Sequence, residues 1–168
     1  VTLGRVCALK VVTSDDIDAE EGDFVQRFVR EATMTARLHH PNCVSVLDFG
    51  EAEDGMLYLA MELLEGTTLA DALRAEVPFS IARFLHVAKQ ACEGVEAAHA
   101  LGVVHRDLKT ANIFLVRQAG AEEQVKVLDF GIAKRLHDTA LALTRPGQML
   151  GTPTYMAPEQ ILAKPVDT

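Results

Sequence analysis

The sequence contains no tryptophan, and aromatic residues make up only 5% of it. Its apolar character rests on aliphatic side chains, and with 49% hydrophobic residues it can still build a sizeable core. No apolar run reaches the roughly 18 residues that a membrane span requires. The first residues, Val1-Thr2-Leu3-Gly4-Arg5, lack the basic-then-apolar pattern of a secretory signal. There is no starting methionine, so the chain reads as an internal segment. Positive charge is scarce: 16 Lys and Arg stand against 24 Asp and Glu, for a net charge of −8. Nucleic acid is therefore not expected as the main partner, because binding a phosphate backbone needs clustered cations. The three cysteines, Cys7, Cys43 and Cys92, show no zinc or redox spacing. They are expected to be reduced core thiols in a cytoplasmic protein. Repeats and low-complexity tracts are absent, and 168 residues fit one domain or a large piece of one.

The patterning gives an order of elements. Val6 to Val12 is a short apolar run with one lysine inside it, and reads as a strand. The acidic stretch Asp15 to Asp23 reads as a solvated loop leading into a helix. Phe24, Phe28 and Ala32 then recur at helical spacing, and His40-Pro41-Asn42 ends that helix. Val44 to Phe49 and Met56 to Leu63 read as strands joined at Glu53-Asp54-Gly55, as in a hairpin. Gly66-Thr67-Thr68 opens a short helix with Thr68 as N-cap. Ser80 caps a longer one with an apolar face at Phe84, Ala88, Ala91, Val95 and Ala98, stopped by Gly102. A second hairpin is expected at 113–116 and 125–128, then a long loop from Asp129 to Thr154 and a short helix after Pro158. The fold class is α+β, with a sheet-rich first part and a helical second part.

The chemistry concentrates in His105-Arg106-Asp107-Leu108-Lys109-Thr110-Ala111-Asn112, a loop between a helix and a strand. A carboxylate at Asp107 can orient a hydroxyl and accept its proton. The carboxamide of Asn112 can hold a divalent cation through its oxygen. Lys109 faces the same way as Asp107 and can neutralise a transferring phosphoryl group. Asp129-Phe130-Gly131 follows a strand, 22 residues after Asp107, where a carboxylate can reach a metal that bridges phosphates. Lys10 lies in an apolar strand, where a lysine usually packs its stem and leaves its head in water. Ala8 points to the same face, and a small residue beside a lysine suits an adenine ring with phosphates beyond it. Glu31, on the following helix, is the natural ion-pair partner of Lys10. Gly151 to Glu159 alone reads as a turn before a helix start.

Together these motifs resemble the protein kinase family from the strand lysine to Ala157-Pro158-Glu159, almost the whole chain. The resemblance implies a bilobal kinase-like fold, truncated, with a partial N-lobe at 1–66 and a partial C-lobe at 67–168. It implies transfer of the ATP γ-phosphate to Ser or Thr hydroxyls of proteins. Asp107 would be the catalytic base, and Asn112 and Asp129 would hold Mg²⁺. Lys10 would contact the nucleotide phosphates and pair with Glu31. Met61 would be the gatekeeper, Glu62 and Leu64 would offer backbone groups to adenine, and Ala8 and Phe114 would sandwich the ring. Lys109 and Thr152 favour Ser/Thr over Tyr specificity. Asp129-Phe130-Gly131-Ile132-Ala133-Lys134 and Pro158-Glu159-Gln160 look like the bacterial branch.

In the family, an arginine before the base goes with activation by loop phosphorylation. Arg106 matches it, and Arg27 and Lys134 match the other cations of the phosphate-binding cluster. Thr144 is the expected phosphate acceptor and Thr139 the second, with autophosphorylation in trans as a route. Thr110 departs from the family's usual proline, and the loop is expected to tolerate it. No glycine-rich loop precedes Lys10, and the family's distal helices do not follow Glu159, so the isolated fragment is expected to be inactive. In bacterial relatives a membrane anchor often follows the kinase domain. Two other readings stay open: a pseudokinase or scaffold, and a small-molecule phosphotransferase.

Overall fold

The computed structural model describes residues 4, 6–12, 21–76, 78–117, 120, 122–130, 153–162, 164 and 166–167. Strand β1 (Cys7–Val12) is followed by helix α1 (Glu21–Ala36) and the hairpin β2 (Val46–Glu51) and β3 (Leu57–Glu62). A short strand β4 (Gly66–Thr68) leads into α2 (Leu69–Ala75) and the long α3 (Ile81–His99). After the loop comes the hairpin β5 (Ile113–Val116) and β6 (Gln124–Val127), and then the short α4 (Pro158–Ile161). The architecture is the expected α+β. The acidic stretch at 15–20 lies outside the described residues.

Two three-stranded antiparallel sheets form, in the orders β1-β3-β2 and β4-β5-β6. Phe24, Phe28 and Ala32 line one face of α1 and pack on Leu57 and Leu59 of β3. Each large side chain buried this way contributes about 1.5–3 kcal/mol. β1 alternates as a half-buried strand should: Leu9 and Val11 are exposed, while Ala8 and Lys10 turn to the other face. Thr68 Oγ1 accepts the Asp71 N–H at 3.1 Å and Ser80 Oγ the Arg83 N–H at 3.2 Å, so both expected N-caps are present. Thr68 also belongs to β4, which the helix pattern alone did not reveal. Gly66, with φ +154, lies against the next strand: a Cβ there would sit 2.0 Å from the Leu115 carbonyl oxygen.

Two expectations are corrected. The buried stripe of α3 is Val87, Ala91, Gly94 and Ala98, and Phe84 is 59% exposed. Phe79, just before the helix, packs against that core instead, with Arg83 over its ring. Of the cysteines only Cys43 is buried. Burial pushes its thiol up to about 11, so it stays protonated. Cys7 sits on the outward face of β1, and Cys92 on α3 away from the buried stripe.

Residues 42–44 strap the first sheet's helix to the second half of the chain. Asn42 Nδ2 donates to Val125 O (2.8 Å) and Gln90 Oε1 (2.9 Å). Val44 N donates to Val127 O at 3.0 Å, and Val127 N to Asn42 O at 2.8 Å. The strap lies so close to α3 that a Cβ on Gly94 would stand 2.6 Å from Asn42 O. Gly94→Ala therefore sets a helix gain of about 1 kcal/mol against a larger overpacking cost, for a net expected loss of about 1–2 kcal/mol. Denaturant unfolding of the protein measures this. A stability equal to or above that of the parent would show that the strap can move aside.

Candidate functional site

The loop at 105–112 is built around a buried imidazole. His105 is 3% exposed. Its Nε2 donates to Leu128 O at 2.8 Å, and its Nδ1 accepts the Asp107 N–H at 3.3 Å. Burial is the largest influence on this ring and pushes its pKa below the usual histidine range, against the opposing pull of its hydrogen bonds and of Asp107 and Asp129. The neutral ring with hydrogen on Nε2 satisfies both contacts. The ring also lies 5.0 Å from that of Phe130, at 48°. His105 thus ties the 105–112 loop to the chain that carries Asp129.

Asp107 is half-buried. Its Oδ2 receives Lys109 Nζ at 2.8 Å and Asn112 Nδ2 at 3.2 Å. Asn112 Nδ2 also donates to Asp107 O at 2.9 Å. A 3₁₀ turn at Thr110–Asn112 supports this arrangement, so threonine at 110 leaves the turn intact. Asn112 O accepts the Leu128 N–H at 2.9 Å, a second tie to the Asp129 segment.

Arg106 and Asp129 are the two non-glycine residues with positive φ among the described residues, at 62° and 51°. Each such conformation costs on the order of 1–3 kcal/mol and persists only where its surroundings fix it. Here they do. Arg106 sits between His105 and Asp107, and its carbonyl accepts Gln160 Nε2 at 2.8 Å. Gln160 Oε1 in turn accepts the Ala157 N–H at 3.1 Å, which anchors the end segment on the loop. Asp129 sits between Leu128, bonded twice, and the buried Phe130. Its Oδ1 meets Lys10 Nζ at 2.9 Å, across from the first sheet.

The residues expected to contact adenine are divided between the two sheets. Ala8 pairs with Met61 and Cys7 with Glu62 between β1 and β3. Phe114 of β5 pairs with Thr68 on one side and Lys126 on the other. Leu64 follows β3, between the sheets in sequence. Glu31 and Arg27 are half-buried on α1. The structure brings Lys10 to Asp129, a contact the sequence reading did not contain. Gly131, Lys134, Thr139, Thr144, Gly151 and Thr152 lie outside the described residues.

Asn112 and Asp129 suit a magnesium ion by donor chemistry. Asn112 spends its N–H groups on Asp107, so Oδ1 is the side-chain atom able to ligate a cation. Among the described residues no three His, Cys, Asp or Glu converge on one point. One carboxylate and one amide oxygen match magnesium, which takes few protein ligands and completes its shell with water and phosphate. No helix among the described residues is long and apolar enough to cross a membrane.

Sequence reasoning missed Gln160, the structural role of His105 and the side chain of Glu62, which pairs with Lys126 at 2.7 Å. One signal for Lys126 existed: it alternates with Val125 and Val127, and so faces away from the core they fill.

The family profile described as protein kinase domain matches residues 2–168. The chain is 44% identical over 169 residues to the serine/threonine-protein kinase pkn3 of Myxococcus xanthus, covering 99% of this chain and 30% of that protein. It is 39% identical over 168 residues to the serine/threonine-protein kinase PknB of Mycolicibacterium smegmatis, covering 98% of this chain and 26% of that protein. The chain thus spans under a third of these curated relatives. Among solved structures, the PknI kinase domain of Mycobacterium tuberculosis matches with a TM-score of 0.73 and 27% identity, over 96% of this chain and 56% of that one.

Proposed function

This chain belongs to the protein kinase domain family, and on that premise we propose that it is part of a serine/threonine protein kinase that moves the γ-phosphate of ATP to a seryl or threonyl hydroxyl. The observation that carries the reading is the Asp107 carboxylate held by Lys109 and Asn112, on a loop that His105 and Asn112 tie to the segment carrying the Lys10–Asp129 pair. Asp107 orients the hydroxyl and takes its proton. Lys109 offsets charge on the phosphoryl group as it transfers. Lys10 binds the nucleotide phosphates, moving between Asp129, ATP and Glu31. Bound Mg²⁺, held by Asn112 and Asp129, supplies further neutralisation of phosphate charge. Ala8, Met61, Glu62, Leu64 and Phe114 surround the adenine. Residues 1–66 and 67–168 are the parts of the two lobes.

Phosphorylation of Thr144, with Thr139 as second acceptor, would order the loop through Arg106, Arg27 and Lys134. Thr152 would face the acceptor residue. The kinase would act on cytoplasmic proteins, its own copies included.

The test is an assay of the intact protein with ATP and magnesium, a generic basic protein and a panel of small alcohols and amines. Phosphoserine and phosphothreonine in the protein are expected. Transfer to small molecules alone would indicate a small-molecule phosphotransferase. Nucleotide binding without transfer to any acceptor would indicate a scaffold.

A further inference from the structure

Lys126 is 9% exposed, on a strand whose flanking valines are fully buried. A lysine on such a strand normally sends its head to water. Here Nζ turns inward, donating to Cys43 O at 3.1 Å and to Glu62 Oε1 at 2.7 Å. The same Oε1 accepts the Ser45 N–H at 2.7 Å, and Glu62 N donates to Ser45 O at 3.0 Å. Burial alone would raise the Glu62 carboxyl. The Lys126 contact and the Ser45 N–H outweigh it and hold the group below its usual range, so the carboxylate is ionised.

An ion pair with one buried and one half-buried partner is poor glue, since desolvation offsets much of its attraction. Its position is more informative. Glu62 ends β3, between Met61 and Leu64. Lys126 stands opposite Phe114 in β5 and three residues before Asp129. One ammonium therefore joins the end of the first sheet, the strap at 42–44 and the strand that delivers Asp129. Nothing in the proposed chemistry uses it.

We propose that Lys126 is a positioning residue for the nucleotide base. By holding the Glu62 side chain inward it fixes the backbone at 62–64, which presents the adenine-binding groups, and it does so without touching the nucleotide. The inference rests on the ATP reading of the site.

The test uses the intact kinase and two probes, adenosine and inorganic pyrophosphate with magnesium. In Lys126→Met the adenosine Kd is expected to rise about tenfold with the pyrophosphate Kd unchanged. The KM for ATP should rise by a similar factor while kcat stays within about twofold. Lys126→Arg, which keeps a cation within reach of Glu62, should recover part of the adenosine affinity. Lys126→Met leaves a half-buried carboxylate without its cation and can destabilise the protein. The double variant Glu62→Gln with Lys126→Met removes both charges, and it should fold and show the same selective loss. Equal losses for both probes, or none for either, would overturn the proposal by making the pair purely structural or idle. A parent protein that bound neither probe and transferred no phosphate would remove the ATP reading itself, and this inference with it.

Discussion

Asp107→Asn in the intact protein is expected to lower kcat by about 10²–10⁴-fold while leaving the fold and nucleotide affinity in place. The asparagine has the shape of the aspartate it replaces. Its backbone N–H still meets His105, and its carbonyl still accepts from Asn112. It cannot accept the hydroxyl proton, and it no longer carries the charge that holds Lys109 at 2.8 Å. Single-turnover phosphoryl transfer, with thermal melting and nucleotide titration alongside, separates these effects. Turnover near that of the parent would remove Asp107 from the role of base. A variant that melted much earlier would mean the loop needs the charge to fold.

The second large effect is expected from Asp129→Asn. Lys10 and Asp129 are each more than a third exposed, at 39% and 37%. Such a pair adds no more than about 1 kcal/mol to stability, and water screens it. The backbone at 129 is left-handed, and asparagine enters that region more readily than most residues. The melting temperature should therefore barely change. The expected loss falls on chemistry: about 10²–10³-fold in kcat, the size seen when one electrostatic stabiliser of a reacting group is removed. Magnesium-dependent tightening of nucleotide binding should vanish with it. A magnesium dependence equal to the parent's would show that the carboxylate does not serve the metal.

These predictions rest on residues readable before any fold was known. The loop at 105–112 and the aspartate after β6 are short motifs whose chemistry depends on local spacing, so they are visible in one dimension. The same holds for α1, where apolar residues four apart face one way, and for the caps Thr68 and Ser80. Contacts between distant segments were not legible. Lys10 meets Asp129 across 119 positions and Glu62 meets Lys126 across 64, and no periodicity encodes such pairings. The burial of α3 misled for a related reason. Phe84 fits the helical stripe, yet Phe79, outside the helix, reaches the same core. The left-handed backbones of Arg106 and Asp129 were hidden as well, because arginine does not favour that conformation and aspartate favours it too weakly to single out one position. They are imposed by neighbours that are themselves held from elsewhere in the chain.

His105 also constrains how this sequence can drift. Its position requires an acceptor on one side, a donor on the other and a flat ring against Phe130. Asparagine and glutamine offer a donor and an acceptor but no ring, and phenylalanine offers the ring alone. Tyrosine has a ring, a donor and an acceptor, but donor and acceptor share one oxygen, whereas imidazole carries them on two separate ring atoms. The donor is aimed at the main-chain oxygen of residue 128, which every amino acid provides, so this contact places no demand on the side chain at 128. Variation at 105 is narrower, because a replacement has to meet a carbonyl, an N–H and a ring at once.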